Sequence, residues 1–152
     1  MQRDYANADR ADRFLNNATD KSKFEWRYIA LSNIIRKDVN IDFAHTGIIK
    51  AGDFCFLNYC VGNVGGTVEE QINGAFDEME KRLGLFGLTL ENVVQMDCLF
   101  WDVWNIPVME KVIKERFNGN YPVRKSIQTE FAHVGGEKGL QFQADAVAYC
   151  GE

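Results

Sequence analysis

Phe142-Gln143-Ala144-Asp145-Ala146-Val147-Ala148-Tyr149 decides how this chain folds. Successive side chains of a strand point to opposite faces. Phe142, Ala144, Ala146 and Ala148 therefore share one face, and Gln143, Asp145, Val147 and Tyr149 share the other. A row of alanines lets helices approach the sheet closely. The opposite face is too mixed for a protomer core and too apolar for bare surface, which predicts that association covers it. The closing strand is expected over 140–149. Another precedes it over 124–131, with Gly135-Gly136 in the turn region between them.

Working outward, Thr67 and Glu70 form a capping box at the head of a helix. Ile72, Ala75, Phe76, Met79 and Leu83 follow at helical spacing on one face, and Gly84 and Gly87 mark its end. A strand is expected over 93–103, with Val94, Met96, Cys98 and Phe100 on one side. Asn105 is placed to cap a second helix, with Pro107 in its first turn and Val108, Val112, Ile113 and Phe117 as its stripe. Asn118-Gly119-Asn120-Tyr121-Pro122 ends that helix. Upstream, 46–50 and 54–61 form a hairpin around the tight turn Ala51-Gly52-Asp53. The glycines of Gly62-Asn63-Val64-Gly65-Gly66 match neither phosphate-loop spacing, and they read as a strand break. The order strand–strand–helix–strand–helix–strand–strand, with one apolar stripe per helix, predicts an α+β fold: one mixed sheet with both helices on the same face.

The first forty residues differ in texture. Asp4 to Lys23 is polar and charged and reads as a loose arm or surface helix, and Phe24 to Leu31 suits a short strand. Residues 32–44 carry no decisive pattern. We therefore divide the chain into an N-terminal arm with a strand, 1–44, and a domain, 45–152.

With 152 residues, 46% apolar and 26% charged, the chain can bury a substantial core. A net charge of −5 disfavours a nucleic-acid backbone as partner. No apolar run is long enough for a membrane span and the first residues lack a signal-peptide layout, so the cytoplasm is the expected compartment. Cys55, Cys60, Cys98 and Cys150, with His45 and His133, show no metal or disulfide spacing, and the cysteines read as small buried hydrophobes. No metal or organic cofactor is expected. By composition alone, Arg124 reads as an exposed salt bridge to Asp145 or Glu130, His45 as an ordinary hairpin histidine, His133 as exposed, and Trp101 and Trp104 as packing or subunit contacts.

Tyr121-Pro122-Val123-Arg124 opening one strand and Gln143-Ala144-Asp145-Ala146-Val147-Ala148 in the last resemble the Rid family, the reactive intermediate deaminases also called YjgF or L-PSP-like. Gly87-Leu88-Thr89-Leu90-Glu91-Asn92-Val93-Val94 and the corner at Asp102 add to the likeness, which runs from His45 to Tyr149. The resemblance implies a chorismate-mutase-like fold and a homotrimer whose sheets close a central barrel, with clefts between subunits. It further implies hydrolysis of a 2-imino or 2-amino-enoic acid to a 2-keto acid and ammonia, without a cofactor. Arg124 stands at the position that binds the substrate carboxylate, and Asp145 at the acidic position that helps place water. A planar guanidinium can hold a carboxylate by two parallel hydrogen bonds, and a carboxylate beside water can act as general base.

Around these, the implied substrate-binding set is altered. Asn58-Tyr59 stands where the family has a small Ser-Gly pair, His45 where it has tyrosine, Glu110 where it has asparagine and Ser126 where it has cysteine. Asp145 replaces a glutamate. The expected substrate is accordingly a small carboxylate other than the simple amino-acid imines. A non-catalytic trimer that binds a carboxylate metabolite or regulates a partner is the reading from a different class. Endoribonuclease activity is disfavoured by the acidic balance.

Overall fold

The computed structural model describes residues 33–131 and 135–151. Six strands, β1 (Ile34–Asn40), β2 (His45–Ala51), β3 (Phe54–Cys60), β4 (Val93–Phe100), β5 (Val123–Gln128) and β6 (Phe142–Tyr149), form one mixed sheet in the order β1-β2-β3-β6-β4-β5. The β2–β3, β3–β6 and β6–β4 pairs are antiparallel and β4–β5 is parallel. Two helices, α1 (Val68–Gly84) and α2 (Ile106–Arg116), complete the α+β fold. From Ile35 onward the sheet and helices belong to one compact unit, Ile35–Glu152. The expected arm at 4–23, the strand at 24–31 and His133 lie outside the described residues. Within the unassigned stretch 32–44, residues Ile34–Asn40 form the edge strand β1. No helix among the described residues is long and apolar enough to cross a membrane.

Helix α1 starts as expected. Glu70 N–H donates to the Thr67 hydroxyl at 3.3 Å, and Thr67 N–H donates to the Glu70 carboxylate at 2.7 Å. That bond from the backbone holds the Glu70 carboxyl below its ordinary range. Ile72, Ala75, Phe76, Met79 and Leu83 are all fully buried, as are Phe142, Ala144 and Ala148 of β6. Phe76 meets Phe117 of the segment after α2 edge-to-face at 5.4 Å and Phe142 at 6.1 Å. Phe142 meets Phe100 at 5.0 Å, so one aromatic chain spans both helices and two strands. At the surface, Arg116 of α2 reaches Asp77 at 2.7 Å and Glu80 at 2.8 Å on α1. One polar side chain, Gln71, sits fully buried in this core. Its amide donates to the Gly66 and Gly139 carbonyls and accepts from Gln141 N–H, which locks the head of α1 to the entry of β6.

Several local expectations change. A bulge in β4 sets Val93 opposite Ala148 and Gln95 opposite Val147, leaving Val94 as the extra residue. Parity flips there, so Val93 joins Met96, Cys98 and Phe100 in the core, whereas Val94 is exposed. The same strand stops at Phe100. Asp102 accepts from Trp104 N–H at 2.9 Å and starts a short 3-10 turn, Val103–Asn105. Asn105 stands at the cap position of α2 without capping it, since its side chain donates back to the Asp102 carbonyl. The closing strands are shorter than expected, ending at Gln128 and beginning at Phe142. Trp104 is 87% exposed and takes no part in the core of the described residues.

Gly62 and Gly74 bring the loop after β3 against the backbone of α1. A Cβ at Gly74 would stand 2.8 Å from both the Asn63 amide and the Gly62 carbonyl carbon. Alanine is favoured over glycine inside a helix by ~1 kcal/mol, but overpacking of this kind costs ~1–3 kcal/mol. Gly74→Ala is therefore expected to lower the urea-unfolding free energy, against its helix propensity, and a stabilised variant would refute the close approach.

The cysteine expectation can be followed into pH dependence. Cys55, Cys60 and Cys98 are fully buried. Burial pushes Cys55 up to about 11, with the Cys150 thiol adding to the rise, and pushes Cys60 and Cys98 up to about 12. Above an unfolded thiol pKa of ~8.5 the unfolded chain releases protons that the folded chain keeps, so stability falls as pH rises from there toward 11–12. Each thiol adds at most ~1.4 kcal/mol per pH unit to that slope. Urea midpoints measured between pH 8.5 and 11 are expected to fall less steeply in Cys98→Ala than in the parent protein.

Candidate functional site

The site grows from a fault in the sheet. Leu57 pairs with Ala146 and Cys60 with Ala144, so Asn58 and Tyr59 together oppose Asp145. Tyr59 takes φ 52°, the left-handed region that costs a side-chain-bearing residue ~1–2 kcal/mol. The family resemblance implies glycine here, and the tyrosine keeps the backbone that a glycine would adopt freely. Bulging frees the Tyr59 N–H from the ladder, and it donates to Asp145 Oδ1 at 2.7 Å. Gln143 Nε2 donates to the same oxygen at 3.0 Å.

On the helix side, Arg82 satisfies the other half of the bulge. Its Nη1 donates to the Asn58 carbonyl at 2.7 Å and to the Tyr59 carbonyl at 3.3 Å. Its Nε donates to Asp38 Oδ2 on β1 at 2.8 Å and lies 3.1 Å from Glu78 Oε1, one helical turn earlier. Gly47 makes room for this: a Cβ there would stand 2.1 Å from Asp38 Oδ2 and 2.7 Å from Arg82 Nε. His45 Nε2 and Asn58 Oδ1 are 2.7 Å apart, and the His45 and Tyr59 rings meet edge-on at 6.0 Å. Beside them opens a cavity of about 520 Å³ whose wall includes His45, Tyr59 and Arg82. Three of the expected site residues, His45, Asn58 and Tyr59, thus converge, with Asp145 joined to them through the Tyr59 N–H.

Arg124 belongs to a second corner. It pairs in register with Met96 on the helix-covered face, whereas Asp145 pairs with Asp97 on the bare face. Within one protomer the two are two strands apart, roughly 10 Å, and on opposite faces, so they are not neighbours. The ion-pair partner of Arg124 is neither Asp145 nor Glu130. Its Nη2 reaches Glu110 Oε1 at 2.5 Å, and its Nη1 points at the Met109 thioether at 3.9 Å. A cleft of about 240 Å³ lined by Glu110, Tyr121, Pro122 and Arg124 opens here. Ser126 follows two residues on along the same face, opposite buried Cys98. The bare face carries Phe54, Phe56, Ile127 and Tyr149, each 41–47% exposed, around a row in which Asp97 lies between Asp145 and Lys125. Among the described residues no three His, Cys, Asp or Glu side chains group to hold a metal.

Arg82 and Asp38 are the residues that sequence reasoning missed. A signal existed for the arginine: it falls three residues after Met79 on the apolar stripe, and Glu78 precedes it at i−4. A charged residue on a core stripe needs partners. Arg82→Met would leave two carbonyls and a carboxylate without their donor. Loss of one partner from a buried pair costs ~3–5 kcal/mol, and the 39% exposure of the Asp38 side chain places the expected loss at the lower end. Urea unfolding of Arg82→Met and Arg82→Lys should show a large loss for the first and a smaller one for the second; a loss in Met below ~1 kcal/mol would mean that the clamp is dispensable.

No family model matches the chain, and no curated protein matches it. Solved structures do. A hypothetical protein from Streptococcus pyogenes M1 GAS, a member of the highly conserved yjgF family, is 72% identical over 79% of this chain and 98% of its own, with a TM-score of 0.77. A member of the YjgF/YER057c/UK114 family from Mycobacterium tuberculosis shares the fold at 21% identity, over 76% of this chain and 98% of its own, with a TM-score of 0.67. A candidate endoribonuclease from Thermotoga maritima does so at 15% identity, over 77% and 92%, with a TM-score of 0.63. The resemblance first carried by Pro122-x-Arg124 and Asp145-Ala146-x-Ala148 thus extends over nearly the whole of a yjgF-family protein, and this chain belongs to the YjgF family.

Proposed function

We propose that the protein is a cytoplasmic homotrimer that hydrolyses a small carboxylate-bearing enamine or imine to a keto acid and ammonia, with Arg124 anchoring the carboxylate. The observation that carries this reading is the state of the Arg124 guanidinium. It lines a cleft, Glu110 fixes it through Nη2, and its Nη1 faces only a thioether, a weak acceptor that a carboxylate readily outbids.

The reaction then needs a second protomer, because Asp145 is on the other face of the sheet. The bare face with its exposed Phe54, Phe56, Ile127 and Tyr149 supports association. In the proposed trimer, Arg124 of one subunit faces the corner of the next that holds His45, Asn58, Tyr59 and Asp145, while Glu110 and Ser126 flank the arginine. Water adds to the carbon of the protonated C=N as Asp145 takes its proton. Asp145 passes that proton to nitrogen and takes the hydroxyl proton as the C–N bond breaks, so that ammonia leaves and the C=O forms. Asp145 Oδ1 is engaged by Tyr59 and Gln143, so Oδ2 is the oxygen assigned to water.

A carboxylate-binding or regulatory trimer without turnover is the second reading, and the engagement of Asp145 in holding the bulge favours it. Endoribonuclease activity, suggested by the name of the Thermotoga maritima protein, fits poorly with a net charge of −5 and with Asp97 and Asp145 on the bare face. Ammonia release from freshly generated imino acids, including dicarboxylic enamines, separates the readings. Hydrolysis should fall by about 10²-fold or more in Arg124→Ala, as the loss of a charged hydrogen-bonded pair dictates. A wild-type protein that accelerates none of the panel excludes the hydrolase, and an Arg124-dependent thermal shift with those ligands would then mark the binding trimer.

A further inference from the structure

The cavity of about 520 Å³ beside Arg82 has a lining that selects for a particular charge. Its wall carries two carboxylates, Asp38 and Glu78, against one guanidinium, Arg82, which is engaged through Nε by both carboxylates and through Nη1 by the Asn58 and Tyr59 carbonyls. Asp38 Oδ1 has no partner among the described residues, while its Oδ2 holds Arg82. His45 Nε2 is engaged with Asn58 Oδ1 at 2.7 Å. The rings of Phe43, His45 and Tyr59 stand in the same wall. Aromatic faces and an unspent carboxylate suit a compact cation that donates hydrogen bonds.

The backbone around this cavity is also unusual. Five non-glycine residues among those described have positive φ, and three of them, Asp38 at 56°, Ala44 at 50° and Tyr59 at 52°, belong to or adjoin its wall. Strain of this kind persists only where the surroundings over-determine it, and it gathers at ligand sites. Arg82 is the over-determining group for two of the three, gripping the Asp38 carboxylate and the Tyr59 carbonyl.

From these observations we infer that the cavity is a binding site for the protonated nitrogen of a small organic amine or iminium compound, with Asp38 as its charge partner and Phe43 and Tyr59 as its aromatic wall. The cavity includes Glu78 and Arg82 of α1 and not Asp145, so the inference stands apart from the proposed hydrolase. It makes the cavity selective for an organic cation over a simple anion.

Non-reactive probes test it without turnover. Propylammonium chloride titrated into the full-length protein should shift the backbone amide resonances of Asp38, Phe43 and Tyr59 in a saturable way, and sodium propionate at equal concentration should leave them in place. Asp38→Asn keeps an oxygen for Arg82 Nε, so the clamp survives while the charge is lost, and affinity should fall by about tenfold or more. Phe43 is 82% exposed, so Phe43→Ala should leave the melting temperature unchanged and weaken the probe about two- to fivefold. No saturable shift at these residues, unchanged affinity in both variants, or an equal response to propionate would overturn the site. Ammonium binding without any hydrolysis would sink the hydrolase and leave this site standing; hydrolysis without ammonium binding would do the reverse.

Discussion

One buried guanidinium sets the geometry of the region in which this protein differs most from a plain sheet. A bulge frees backbone groups that the ladder would have paired, and each free group near the core must find a partner. Arg82 supplies donors to the two carbonyls, and Asp145 accepts the N–H from the opposite face. Neither residue alone is enough, because the freed groups of Asn58 and Tyr59 point to both sides of the sheet. The bulge is therefore clamped through its thickness. That clamp lets Tyr59 hold a left-handed conformation, sets Asn58 against His45, and draws the edge strand β1 in through Asp38. Gly47 is the concession the neighbouring strand makes to let the ion pair pass.

The same clamp gives Asp145 a structural duty whatever its chemistry. A carboxylate that accepts from a backbone N–H at 2.7 Å and an amide at 3.0 Å through one oxygen is oriented by both. Aspartate, where the resemblance implies glutamate, fits this task, since its short side chain stays against its own sheet and reaches the adjacent bulge. Arg124, by contrast, takes its position from α2, through Met109 and Glu110, and from its place on the edge strand. The two residues are held by different elements and look in different directions. Strand parity makes that separation rigid: moving Arg124 to the face of Asp145 would require a one-residue slip of β5 against β4, which would expose every side chain that β5 now turns to the helices.

Much of this was legible in the residues. The alternation in Phe142 to Tyr149 and the stripe from Ile72 to Leu83 named the core face and the helix upon it, because those signals have the period of the element that carries them. The Pro122-x-Arg124 pattern and the last strand led to the family. What escaped were features whose cause is not local. The bulge at Val94 reverses parity through pairing with β6, and nothing in Val93-Val94-Gln95 announces it. Gln71 is a polar residue on a core stripe whose partners lie in loops far along the chain. Arg82 belongs to the same kind. Both sat in plain view as interruptions of an apolar pattern, and both proved to be the places where the core ties down irregular backbone. The separation of Arg124 from Asp145 was open to the same reasoning, since it follows from which neighbours in β4 each one pairs with, but that register emerges only when the strand order is known.

The pairing of Arg124 with Glu110 bears on what kind of ligand the proposed enzyme could favour. An incoming carboxylate does not meet a bare guanidinium; it meets one that already has a carboxylate on it at 2.5 Å. A ligand carboxylate that takes Nη1 from Met109 stands beside the Glu110 carboxylate on Nη2, and two like charges on one guanidinium lower the net affinity of the contact. Discrimination must then come from the remainder of the molecule. A compound with only a carboxylate has nothing else to offer, whereas one that also bears a cationic nitrogen can engage acceptors elsewhere. On the proposed reading, Glu110 thus converts a general anion anchor into one that rewards a second, oppositely charged group, and the replacement of a neutral residue by a glutamate at this position becomes a determinant of selectivity.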